Sequence, residues 1–218
     1  MSDAVNEVSA TDESSRATAV GAATVVSAVI TGEDGLARCS WSASDPEYRR
    51  YHDEEWGREQ RDPRALYEKL CLEGFQAGLS WITILRRRPA FREVFHEFDV
   101  DAVAAMTDVD VERLLQDARI IRHRGKIEAT ISNARAVQAL DVPLSELMWS
   151  FAPAPRSVPR PTAWGEIPAV TAESTAMSKE LRKRGFRFVG PTTMYALMQS
   201  TGMVDDHFVG CFRAARTS

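Results

Sequence analysis

Apolar positions in the second and later thirds of the chain recur at helical spacing, and the runs are closed by Asp, Pro or Gly. Asp62-Pro63 reads as a helix start, an N-cap with proline at the first helical position, followed by Leu66 and Leu70 on one face. Asp108 can cap a helix carrying Val111, Leu114 and Leu115. A long helix runs from about Gly125, with Ile127, Ile131, Ala134 and Val137 along one stripe. Ser174 to Arg184 is helical and stops at Gly185, and Pro191 opens a further helix through Ser200. Alternating strand patterns are scarce and no internal repeat is evident, so the expected class is all-α.

The ends of the pattern differ from its middle. Residues 1–36 contain no Trp, Tyr, Phe or Cys and carry six acids against one base. Such a composition buries little, so this segment is expected to be a disordered tail, with a short strand or a partner-binding segment as the alternative. Residues 37–218 are expected to form one helical domain. Within it, residues 152–173 hold five of the ten prolines and read as a long surface connection.

The 218 residues are 44% hydrophobic, enough for one ordinary core. The net charge of −4 comes from the tail; without residues 1–36 the chain is close to neutral. Nucleic-acid binding is therefore not excluded, because phosphate attraction depends on local charge. Three widely spaced cysteines make no disulfide framework, the apolar run Ala17–Ile30 follows acids rather than bases, and no long uncharged apolar stretch is present. These features lead to the expectation of a soluble, cytoplasmic protein with no membrane partner.

Two of the four histidines stand at set distances from cysteines, as Cys39-x12-His52 and His207-x3-Cys211. Two thiolates and two imidazoles suit a closed tetrahedral zinc site, which is structural because no position is open to water. Buried apolar cysteines with incidental histidines remain the alternative, since spacing does not show that the two pairs meet. Cys71 is read as core and His96 as surface.

Trp41, Tyr48, Tyr51 and Trp56 lie close together in sequence, and Trp81 follows Glu73 in an apolar segment. Flat rings with polar edges can stack an extruded base, and a carboxylate in apolar surroundings is either partnered or functional; core filling is the plainer reading of any single ring. Gly74 and Gly78 break the helix pattern just before Leu79, which can be presented as a wedge; a simple turn between helices is the plainer reading. Arg119-Ile-Ile-Arg122-His123-Arg124-Gly125-Lys126 lies between two expected helices, where a turn, a helix N-terminus and bases can hold a phosphate; a solvated charge run is the equal alternative. Arg86-Arg87-Arg88 and Arg182-Lys183-Arg184 either extend that footprint or coat helix ends.

The strings Tyr51-His-Asp-Glu-Glu-Trp-Gly57, Leu72-Glu-Gly-Phe-Gln-Ala-Gly-Leu-Ser-Trp81, Ile120-Ile-Arg-His-Arg-Gly-Lys-Ile127 and Asp206-His-Phe-Val-Gly-Cys211 closely resemble the DNA-3-methyladenine glycosylase I family. This is the zinc-containing branch of the helix-hairpin-helix glycosylase superfamily. The resemblance runs from about Arg38 to Phe212. It implies two helical lobes, one structural zinc on Cys39, His52, His207 and Cys211, and a monomer acting on double-stranded DNA that contains alkylated adenine. It further implies that Glu73 is the catalytic carboxylate and contacts the methylated base. Trp41, Tyr48, Tyr51 and Trp81 would line the pocket, Gly78 and Leu79 would probe the gap in the DNA, and Arg122, Arg124, Gly125 and Lys126 would bind phosphate.

The implied reaction is base-excision hydrolysis of the N-glycosidic bond of 3-methyladenine after base flipping. Many superfamily members place an aspartate in the helix after the hairpin, but residues 126–140 contain none, and no catalytic lysine suggests itself. Following the family, the resemblance implies a monofunctional hydrolase without lyase activity. The chain departs from compact relatives in its first 36 residues and at Arg119, where many carry glycine. A module that binds damaged DNA without cleavage and a zinc-dependent hydrolase are the competing readings.

Overall fold

The computed structural model describes residues 27–154 and 160–214. The expected helical class is what it shows, with one small addition. A two-stranded antiparallel hairpin, β1 (Val29–Thr31) and β2 (Ala37–Cys39), pairs Val29 with Cys39 and Thr31 with Ala37. Nine α-helices follow among the described residues: α1 (Pro46–Glu54), α2 (Pro63–Gln76), α3 (Trp81–Val94), α4 (Val100–Ala104), α5 (Asp108–Gln116), α6 (Arg124–Gln138), α7 (Leu144–Trp149), α8 (Ala172–Lys183) and α9 (Pro191–Ser200).

The hairpin corrects the expected boundary of the N-terminal tail. Folded backbone is present by Val29, because Asp34 in the turn pairs with Arg38 at 2.6 Å and Arg38 is held from the other side by Asp53 at 2.9 Å. Strands of three residues are too short to display an alternating pattern. Residues 1–26, the rest of the expected tail, lie outside the described residues.

The caps follow elementary chemistry. The Asp62 carboxylate accepts from Ala65 N at 2.8 Å to open α2, and the Thr171 hydroxyl accepts from Ser174 N at 3.2 Å to open α8 two residues before the expected start. The start of α5 is also shifted. Thr107 is its N-cap and its N–H donates to Asp110 at 2.9 Å, leaving Asp108 as the first helical residue.

Helix α2 is the axis of the fold. All ten residues from Leu66 to Phe75 are buried, so this helix is covered all round by α3, α6, α7 and α9. The main core is one continuous cluster that includes Leu66, Phe75, Phe91, Leu114, Ile127, Met148, Leu181 and Met198. A satellite cluster of Cys39, Phe208 and Cys211, packed by Val29, Trp41 and Ile167, joins the two ends of the described chain. Phe212 N donates to the Ala37 carbonyl at 2.7 Å and closes that junction.

Candidate active site and metal centre

A pocket of about 380 Å³ opens between residues 41–56, α2, α3 and α9. Its walls include Trp41, Tyr48, Tyr51, Trp56 and Trp81, the five rings singled out in the sequence, with Glu73 among them. Trp41 stands edge-on to Tyr48 at 5.6 Å and to Trp56 at 5.3 Å, and Tyr51 tilts against Trp81 at 5.6 Å. The Tyr48 hydroxyl accepts from Ile82 N at 2.9 Å, so this ring is fixed by the unpaired backbone at the start of α3. Trp81 Nε1 is buried without a hydrogen-bond partner, leaving a donor to spare at the pocket wall.

Glu73 enters from the last turns of α2 and is buried. Burial pushes its carboxyl up to about 7, while the cation of Lys69 and the Ser200 hydroxyl act in the opposite direction. Lys69, one turn earlier on the same helix, is itself pushed down by burial. Its ammonium donates to the Tyr51 hydroxyl at 3.1 Å and lies 3.7 Å from Glu55. Glu55 in turn accepts both arms of Arg88, at 2.7 and 2.5 Å. A chain of alternating charges therefore runs under the pocket floor and orients Tyr51.

The Gly78–Leu79 turn follows α2 directly. Gly78 has a φ of +82°, a backbone state that favours glycine, and Leu79 is 41% exposed at its tip. Gly74, by contrast, lies inside α2 against Phe188, so it does not break the helix as the sequence reading expected.

Residues 117–123 join α5 to α6, and His123 caps α6 by accepting from Lys126 N at 3.3 Å. The basic residues here part company. Arg122 is exposed and makes no ion pair among the described residues. Arg124 pairs with Glu112 at 2.6 Å and Arg119 with Glu93 at 2.8 Å. Gly125 lies in the first turn of α6. Lys126 is not at the surface at all. It is buried and donates to the carbonyls of Phe75 and Ala77, at 2.9 and 2.6 Å, at the C-terminal end of α2.

The other two basic clusters are engaged only in part by the protein itself, and Arg182 and Lys183 stay exposed. Arg86 pairs with Asp45, Arg87 donates to the carbonyls of Ala118 and Arg119, and Arg88 holds Glu55. Arg184 pairs with Asp141 and with Glu180. Sequence clustering could not separate a buried base such as Arg88 from exposed ones such as Arg182 and Lys183.

Behind Trp41, the two ends of the chain bring their cysteines and histidines together. One ligand atom each from Cys39, His52 and Cys211 falls within 4.8 Å of the others, and Cys211 Sγ lies 3.4 Å from His52 Nε2. His207 stands beside this triangle with its ring 5.2 Å from that of His52. Both histidines direct Nδ1 at a carboxylate, His52 at Asp53 (2.8 Å) and His207 at Asp205 (2.9 Å). That arrangement turns each Nε2 inward, and His207 Nε2 is buried without a partner. Two buried thiols side by side cannot both ionise unaided. The Cys39 thiol donates to Cys211, which draws Cys211 down to about 3 and drives Cys39 well above the usual thiol range. Gly57, at φ +75°, passes so close that a Cβ there would lie 2.5 Å from His207 Cε1.

Several wall residues were not singled out by the sequence. Gln76, Gln199, Ser200 and Asp206 line the pocket, as do Trp164 and Ile167 from the proline-rich connection. Asp206 is buried and accepts from the Tyr195 hydroxyl at 2.5 Å and from Gln199 Nε2 at 2.9 Å. Its place beside His207 was the one available signal. Cys71 lies in the core and His96 at the surface, as read from the sequence.

The model of the methyladenine glycosylase family matches residues 41–214. DNA-3-methyladenine glycosylase 1 of Escherichia coli (strain K12) is 52% identical over 179 residues, spanning 81% of this chain and 96% of that protein. DNA-3-methyladenine glycosylase of Haemophilus influenzae is 46% identical, over 80% of this chain and 96% of its own length. Among solved structures, a 3-methyladenine DNA glycosylase I superposes with a TM-score of 0.78 at 50% identity, covering 81% of this chain and 98% of that one. Another, in complex with 3-methyladenine, gives 0.76 at 33% identity, over 82% and 98%. With the pocket walls and the Gly78–Leu79 turn inside the matched span, the chain belongs to the methyladenine glycosylase family.

Proposed function

We propose that this protein hydrolyses the N-glycosidic bond of 3-methyladenine in alkylated double-stranded DNA, taking the flipped base into the aromatic pocket beside Glu73. The observation that carries this reading is a buried carboxylate set among Trp41, Tyr48, Tyr51 and Trp81 in a cavity of purine size. The names of its relatives agree with it, and one solved relative holds 3-methyladenine itself.

Methylation at N3 leaves the bound adenine cationic. Breaking the bond between C1′ and N9 returns the electron pair to the purine, which departs neutral and needs no proton from a strong acid. Water adds its hydroxyl to C1′ and releases a proton to solvent. The protein's part is to extract, hold and orient the base, and electrostatics suit that part: the rings favour a cation and the Glu73 carboxylate accepts from its amine. Among the described residues the pocket walls contain no lysine. Lys69 is tied to Tyr51 and Glu55, and Lys126 to α2, which favours simple hydrolysis over Schiff-base lyase chemistry.

Cys39, His52, His207 and Cys211 would hold one structural zinc. The donor set fits: two adjacent thiols need a cation to ionise together, and the buried His207 Nε2 needs a partner. A zinc there would cross-link β2 and α1 to the C-terminal segment behind Trp41. The helix–turn–helix of α5 and α6 would hold DNA phosphate through Arg122 and the N-terminus of α6, Leu79 would fill the space left by the base, and the active unit would be a monomer. No helix among the described residues is long and apolar enough to cross a membrane. The protein's action on DNA would take place in the cytoplasm.

Base release from methylated duplex DNA tests the proposal. The wild type is expected to liberate 3-methyladenine, and Glu73→Gln to release it at least about 100-fold more slowly, the scale on which one electrostatic group contributes. DNA binding by both proteins with no free base from either would establish the binding-module reading instead.

A further inference from the structure

One wall of the pocket comes from outside every motif that marks the family. Trp164 sits in the proline-rich connection, lines the cavity, and is 44% exposed at its mouth. An indole left half in water forfeits burial that a polar residue would not need, so its position calls for a reason.

The turn that carries it is fixed on several sides. The Glu166 carboxylate accepts from Thr162 N at 2.6 Å and from the Thr162 hydroxyl at 3.0 Å, closing a short 3₁₀ turn over Trp164–Glu166. The Pro161 carbonyl accepts from Val209 N at 2.9 Å, and Arg160 pairs with Asp205 at 2.5 Å, the carboxylate that also orients His207. The indole itself packs at a steep angle, 70°, on Phe208 with ring centroids 5.1 Å apart. Phe208 is fully buried in the cluster of Cys39 and Cys211. Trp164 is thus a half-exposed ring on a rigid mount, lining a cavity whose other walls are already built of π-surfaces.

We propose that Trp164 is a substrate-contacting specificity residue that stacks on the outward side of the extruded base and closes the pocket over it. This rests on the reading of the cavity as a purine site. It extends that reading by assigning a ring that none of the sequence motifs supplies. Stacking of a base on an aromatic side chain is worth about 1–3 kcal/mol by alanine substitution, so the contact is large enough to measure.

The test is equilibrium binding of free 3-methyladenine to the full-length, metal-loaded protein, with melting temperature recorded for each variant. Trp164→Ala is expected to weaken binding about 5- to 150-fold. Trp164→Leu keeps apolar contact with Phe208 but removes the ring face, and should weaken binding nearly as much with its melting temperature within a few degrees of wild type. Trp164→Phe should restore most of the affinity. A Trp164→Leu protein that binds within twofold of wild type overturns the inference and leaves the pocket reading standing. A wild-type protein that neither binds free base nor releases it from DNA removes the pocket reading, and the inference with it.

Discussion

The Lys126 ammonium sits under the last turn of α2 and donates to the Ala77 carbonyl at 2.6 Å, one residue before Gly78. Helix α6 is thereby tied to the turn that presents Leu79. A buried ammonium satisfying orphan helix carbonyls is a C-terminal cap in chemical terms, and the end of a helix also carries partial negative charge that favours it.

Lys126→Met should therefore lower stability by about 1–3 kcal/mol, because the carbonyls of Phe75 and Ala77 lose their buried donor. It should leave unchanged the slope of log affinity against log salt for DNA. Arg122→Gln should do the reverse, leaving the melting temperature alone while reducing the slope by about 0.9, the signature of one lost phosphate contact. A reduced slope for Lys126→Met would return that residue to the DNA footprint.

The pH dependence follows from Glu73, whose carboxyl is raised by burial to about 7 against Lys69 and Ser200. Recognition of a cationic base needs the carboxylate, so base release should climb through about pH 7 and level off above it. Stability moves the other way. A carboxyl raised in the folded state contributes stability that is present below its unfolded pKa and lost as pH rises through the folded value. The wild type should melt lower at pH 8 than at pH 5 by a margin that shrinks in Glu73→Gln. Thermal melts of both proteins at the two pH values check this.

The legibility of the fold tracked the strength of local signals. Asp62-Pro63 and Pro191 marked their helices because cap and proline act within one turn, and the α6 stripe was visible because Ile127, Ile131 and Ala134 are all buried. Helix α3 was harder to see, for it carries Pro89 in its interior and three consecutive arginines. Lys126 and Arg88 read as surface bases because sequence shows charge but not the carbonyls or carboxylates that draw a charge inward. Trp164 was invisible as a wall residue, since its place depends on contacts with residues 205–209 that no short spacing encodes.

Gly57 and Gly78 offer a controlled comparison at the metal centre. Both adopt positive φ, +75° and +82°, so alanine should cost either about 1–2 kcal/mol through its backbone. Around Gly78 there is nothing within 4 Å of a new Cβ, whereas at Gly57 that atom would sit 2.5 Å from the His207 ring. Gly57→Ala should therefore displace the imidazole and lose zinc, giving a metal content well below the about one equivalent expected of wild type and a larger fall in melting temperature. Gly78→Ala should keep its zinc. Cys211→Ser should match Gly57→Ala in metal loss, and equal zinc in all four proteins would rule out the proposed ligand set.

Leu79 separates the extraction of the base from its recognition. The side chain is 41% exposed, so Leu79→Ala should change folding stability by no more than about 0.5 kcal/mol. It does not line the pocket, so binding of free 3-methyladenine should be unaltered. Extruding a base from duplex DNA, however, costs a few kcal/mol of stacking, and an apolar side chain that occupies the gap recovers part of it. Losing about 1.4 kcal/mol of that recovery slows release about tenfold. Release from methylated duplex should therefore fall about tenfold or more, and the deficit should narrow on single-stranded substrate, where no stack has to be opened. An equal deficit on both substrates would mean that Leu79 acts on the pocket rather than on the DNA gap.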